Sequence, residues 1–246
     1  MLLKKIHTLS GSALLMCLHS AFAAHPLVTD DTGTQDMGNQ QLEANTDWTR
    51  RSGIAGHVAD FTYTYGLLSN VDVFSDLPVT ASSPSGINDA SLGVKWRFYE
   101  RGATSFAIKP VLVLPTGNQN VGLGTGRSSA AMTLIASIDN APWAFHGNLG
   151  IAVNRYALAV DQQENRRLLW RASSAVTYSL TQQWRLLGDI GIARNQDVGS
   201  TVNPAYFLTG AIYSPNQNVD LDAGIRFGLN KTEVDRQFGV GLTLRF

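Results

Sequence analysis

The chain has 246 residues, 44% hydrophobic and only 15% charged, with 19 Lys and Arg balanced by 19 Asp and Glu. A neutral balance excludes the basic footprint of a nucleic-acid partner, and a single cysteine excludes a disulfide framework or a thiolate metal site. A mean hydropathy of −0.04 reads as water-soluble, yet no helical periodicity outlasts a turn or two, and the charged fraction falls below the roughly 25% of ordinary globular domains.

Lys4 and Lys5 precede an apolar run from Leu9 to Leu18, and Ala21-Phe22-Ala23 sets small residues where a signal peptidase reads. Residues 1–23 are therefore expected to be a cleaved secretory signal, since the run is too short to span a membrane as a helix. Met16 before Cys17 is too bulky for a lipoprotein cleavage site. Cleavage leaves 17 basic side chains against 19 acidic ones and no cysteine.

Residues 24–38 form an irregular segment on the periplasmic side, too polar to enter lipid. Its run Thr29-Asp30-Asp31-Thr32-Gly33-Thr34 has side chains that bond backbone amides in tight turns, which a plain linker does not need. Two placements follow: a disordered leader, or a plug or gate in the mouth of the barrel that the next residues build. The second is preferred, with Thr29, Asp30, Asp31 and Asp36 as the gate residues and lumenal arginines as the partners of its carboxylates.

From residue 39 to 246 the pattern has period two, and twelve strands are expected, near 40–50, 57–68, 71–78, 89–100, 104–114, 128–139, 142–153, 168–181, 184–195, 204–213, 219–230 and 235–246. Apolar stripes such as Phe61-Tyr63-Tyr65-Leu67 and Met132-Leu134-Ala136-Ile138 alternate with polar residues. Alternate residues meeting lipid is the signature of a transmembrane antiparallel β-barrel, and it explains the near-zero hydropathy. Residues 105–114 and 204–213 are apolar at both parities, so their inward face stays unassigned. Short turns at 69–70, 101–103, 140–141, 182–183 and 215–218 alternate with longer connections at 79–88, 115–127, 154–167 and 196–203, and with shorter links at 51–56 and 231–234. Bacterial barrels show this asymmetry, periplasmic turns short and outer loops long. Tyr99, Trp143, Tyr178, Trp184, Tyr213 and Phe246 fall at the short-turn ends, where an interfacial aromatic belt belongs. The final strand alternates from Phe238 to Phe246, and a closing Phe resembles the signal read by the barrel assembly machinery.

Three stretches carry a family resemblance: His25 to Thr34 with Gln41-Leu42-Glu43, Gly93 to Phe98, and Leu114 to Gly117. They resemble the MetA-pathway phenol-degradation family of transporter-like outer-membrane proteins. The resemblance implies a bacterial outer-membrane barrel and hints at small aromatic or hydrophobic solutes.

Parity then names the lumen-lining candidates: Glu43, Asp47, Asp60, Asp72 and Asp76 on the first three strands, Lys95, Arg97 and Lys109 on the next two, His146, Arg171 and Arg185 further on, and Asp220, Asp222 and Arg226 near the end. An acidic wall thus meets basic ones. A salt-bridged filled lumen and a pore with a transverse field are both compatible with it. His146 with Asn148 suggests a Ser-His-Asn hydrolase, but such a barrel enzyme needs serine and histidine on a lipid-facing patch, and parity turns His146 inward. Asp30-Asp31 lacks EF-hand spacing, and Gly122 to Gly126 is not followed by the lysine and helix of a phosphate loop. No catalytic, metal or cofactor site is assigned. The expected protein is a monomeric channel or uptake protein for small molecules in outer-membrane lipid; the alternative is a structural or surface-interaction barrel without transport.

Overall fold

The computed structural model describes residues 25–246, so the expected signal, residues 1–23, lies outside the described residues. Twelve long strands follow in order: β1 (Gln40–Arg51), β2 (Ile54–Leu68), β3 (Val71–Thr80), β5 (Ser91–Arg101), β6 (Thr104–Val113), β7 (Ser129–Asn140), β8 (Trp143–Val153), β9 (Leu168–Ser179), β10 (Trp184–Ala193), β11 (Ala205–Asn216), β12 (Val219–Gly228) and β13 (Arg236–Arg245). A two-residue strand, β4 (Gly86–Ile87), pairs with the outer end of β3. The long strands pair antiparallel with their neighbours, and β13 pairs with β1 from Gln41↔Arg245 to Arg50↔Arg236. That seam closes the ring of twelve long strands, as a backbone in lipid requires.

Alternation decides which side chains face lipid. Leu134 is 44% exposed, while its neighbours Thr133 and Ile135 are at 3% and 0%. The lipid face ends in aromatic pairs at the short-turn end, with Trp143 4.6 Å from Tyr178 and Trp184 4.8 Å from Tyr213. The two unassigned strands resolve cleanly. Ser105, Ala107, Lys109 and Val111 of β6 point inward, as do Tyr206, Leu208 and Ile212 of β11. Their parity was illegible because the barrel interior is itself packed, so apolar residues are stable on either face.

Several connections differ from expectation, and β11 runs on to Asn216, so the 215–218 turn shortens to two residues. The 51–56 link shrinks to Ser52-Gly53, where φ of 49° and 85° make the left-handed pair that fits a tight hairpin. The 154–167 connection contains a short helix, α1 (Ala159–Glu164).

Candidate functional site

The barrel wall is electrically divided. Asp220 and Asp222 on β12, Glu43 and Asp47 on β1, Asp60 on β2, and Asp72 and Asp76 on β3 form an inward acidic arc across the β13–β1 seam. Lys95 on β5, Lys109 on β6, Arg171 on β9 and Arg185 on β10 form the basic side.

Between them lies the segment that precedes β1. It turns inward at Asp36 and Gly38, both at positive φ (62° and 91°), and is pinned to β2 by Gly38 N–H donating to the Gly66 carbonyl at 2.8 Å. Read backwards from there, it passes once around the inner wall. Gln35 N–H donates to both oxygens of Asp72 at 3.0 and 3.1 Å. Asp31 pairs with Lys95 at 3.6 Å. Thr32 shares a hydrogen bond with Ser105 and donates its N–H to Ser137 Oγ at 3.1 Å. Lys109 Nζ donates to both oxygens of Asp30 at 3.0 and 3.1 Å, and neither side chain is exposed. Asn148, with its amide turned to suit both groups, accepts from Asp30 N–H and donates to the Asp30 carbonyl. Val28 N–H, Thr29 N–H and the Thr29 hydroxyl all donate to Asp189, at 2.8, 2.8 and 2.9 Å.

At its far end, His25 sits between Asp222, on Nδ1, and Asp47, 3.5 Å from Nε2. Burial opposes the imidazolium, but the hydrogen bonds and charges of Asp222 and Asp47 outweigh it and raise the His25 pKa to about 9. The wall is hollowed to receive this end. A Cβ on Gly239 or Gly241 would lie 2.7 or 2.8 Å from the His25 ring, and one on Gly224 only 2.5 Å from Pro26. The segment is therefore the wall's electrostatic complement, its cation on the acidic arc and its carboxylates on the basic side.

The remaining candidates take other places. Arg97 lies at the mouth, bonded to Glu100 at 3.0 Å and to the Ser69 carbonyl. Arg185 and Arg245 share Asp220 at 3.1 and 2.7 Å. Arg226 pairs with Glu233 at 2.9 Å and covers the Tyr206 ring at 4.1 Å. Arg171 donates to Thr133 Oγ1. Asp76 accepts from Thr62 and Ser91 and has Asp60 beside it. Glu43 accepts from Gln41. His146 is hydrogen-bonded to Ser137 at 2.9 Å, on the serine oxygen that also receives Thr32.

Two expectations need correction. Asp36 does not meet a lumenal arginine; it is exposed, in the left-handed turn at the rim, because the chain must reverse there. Lysines, Lys95 and Lys109, take the ion-pair positions assigned to arginines for Asp31 and Asp30. Two residues of this network, His25 and Asp189, are not among the sequence candidates, although Asp189 shares its parity with Arg185. Beside the segment, at the short-turn mouth of the barrel, a cavity of about 510 Å³ is lined by Gln35, Gln41, Glu43, Lys95, Thr243 and Arg245.

Residues 25–246 match the family described as Putative MetA-pathway of phenol degradation. No curated protein matches the chain. Among solved structures, the COG4313 outer membrane channel from Pseudomonas putida F1 superposes with a TM-score of 0.67 at 13% identity, covering 88% of this chain and 98% of that one. The NanC porin gives 0.65 at 9% identity, over 82% and 98% of the two chains, and the KdgM porin 0.62 at 8%, over 84% and 99%. At these identities what is shared is the outer-membrane barrel fold.

Proposed function

The chain belongs to the family described as Putative MetA-pathway of phenol degradation, and from that membership and the occupied lumen we propose that it is a passive outer-membrane channel for small molecules whose gate is the segment 26–38. The observation that carries the reading is the nature of the lumen's contents. Barrels of about eight strands are filled by their own wall side chains and those of sixteen to eighteen stand open; this twelve-stranded wall needs a separate segment to fill it. That segment is held by hydrogen bonds and ion pairs and anchored through Gly38, so it can leave without unpairing a single strand. Hydrogen bonds to lumenal water replace its polar contacts when it does, and the apolar contacts of Leu27 and Val28 are given up.

The family's description, which names phenol degradation, supports small solutes, aromatic or hydrophobic ones among them. Deleting residues 26–38 should raise conductance in planar bilayers severalfold while the barrel remains heat-modifiable. A deletion variant that assembles but conducts like its parent, with the same protease accessibility, would overturn the gate.

A further inference from the structure

We propose that the inner wall of β10 and β11 is a binding site for a small apolar alcohol, and that Leu27-Val28-Thr29 occupies it as an internal mimic. The inference deepens the channel reading above and rests on it.

The lumen is mostly polar, which makes one patch stand out. Leu187 on β10 with Tyr206, Leu208 and Ile212 on β11 form a buried apolar cluster on the inside of the barrel, and Leu27 and Val28 pack against it. Tyr206 lies flat over Gly191, where a Cβ would come within 2.5 Å of its ring, so the aromatic wall is seated by design of the backbone. In the middle of this patch stands the carboxylate of Asp189, a group with no ion pair to Lys or Arg among those the described residues form within 4 Å. Its oxygens are filled by neutral donors: the Tyr206 hydroxyl at 3.0 Å, two backbone N–H groups and the Thr29 hydroxyl at 2.9 Å. Thr29 Oγ1 is also 2.8 Å from Ser173 Oγ.

An acceptor fixed inside an apolar pocket selects molecules that combine an apolar body with a donor. Leaving the carboxylate facing a body without a donor costs its desolvation. The mimic shows which donor fits, because Thr29 presents an O–H to Asp189 with Ser173 beside it, while Leu27 and Val28 supply the apolar body. A small alcohol or phenol offers the same two features in one molecule. Entry of such a solute displaces Leu27-Val28-Thr29 by occupying the same contacts, which couples solute binding to release of the gate.

The test uses the full chain in lipid nanodiscs with benzyl alcohol as the probe, toluene as the partner lacking the hydroxyl, and empty nanodiscs as background. Saturation-transfer NMR should detect saturable benzyl alcohol binding, tighter in a Leu27→Ser/Thr29→Ala variant whose segment competes less well. Toluene, and benzyl alcohol with Leu208→Gln, should each bind about tenfold more weakly, the size expected for one charge-assisted hydrogen bond or one buried apolar contact set. Asp189→Asn keeps the shape and weakens the acceptor, providing a second variant should Leu208→Gln assemble poorly. Binding equal to that of empty nanodiscs, or indifferent to Leu208→Gln and Asp189→Asn alike, would sink the site. Conductance separates the two ideas: a barrel that conducts after deletion of 26–38 yet shows no such binding retains the channel and loses this site.

Discussion

His25 ties the lumenal segment to the acidic arc by a charge that can be switched off. Its pKa stands at about 9 in the folded protein, above the ordinary histidine value near 6.5. A raised pKa means that the contact with Asp222 and Asp47 stabilises fully below the ordinary value and is lost as pH rises through the folded one. Bilayer conductance should therefore climb as pH passes about 9, and His25→Asn should show higher conductance at neutral pH with no such step. The Asp30–Lys109 pair works differently. Both side chains are fully buried, so removing Lys109 takes the bidentate cation from a buried Asp30 carboxylate at a cost of about 3–5 kcal/mol, which the segment avoids by leaving.

At the scale of the strand, the physics is alternation. Leu134 on β7 faces lipid and Thr133 faces the lumen. Leu134→Arg should disfavour assembly by roughly 2–4 kcal/mol if it lies at the bilayer midplane, and Leu134→Phe should be neutral; folding yield into vesicles against urea checks both. An equal yield for the arginine variant would mean the register is wrong. Parity alone suggests that an inward arginine at Thr133 is harmless. The packed lumen says otherwise, because Thr133 is buried, stands opposite Lys109 of β6 and accepts from Arg171, so an arginine there would be a third cation in a filled space.

For the whole molecule, closure depends on the seam where β13 meets β1. Phe246 completes it, exchanging backbone hydrogen bonds with Gln40 at 2.7 and 3.0 Å, and its ring stands at the lipid boundary. Deleting Phe246 should lower the heat-modifiable barrel in outer-membrane fractions while secretion to the periplasm continues. Unchanged barrel levels would show that the strands close without it.

The strands, their number, the short and long connections and the lipid-facing stripes were legible in the amino-acid order, since each depends on residues two apart or on local turn chemistry. The lumen-lining charge candidates come from the same rule, because parity sorts residues without knowledge of their partners. What no local rule could reach is who meets whom. Asp189 and Thr29 are 160 residues apart, and His25 and Asp222 are 197. The glycines at 224, 239 and 241 looked like ordinary small residues of two strands until closure set them opposite Pro26 and His25. The inward faces of β6 and β11 were likewise settled only by closure: an apolar residue in a filled barrel is stable on both sides, and only the ring of neighbours decides which side is lumen.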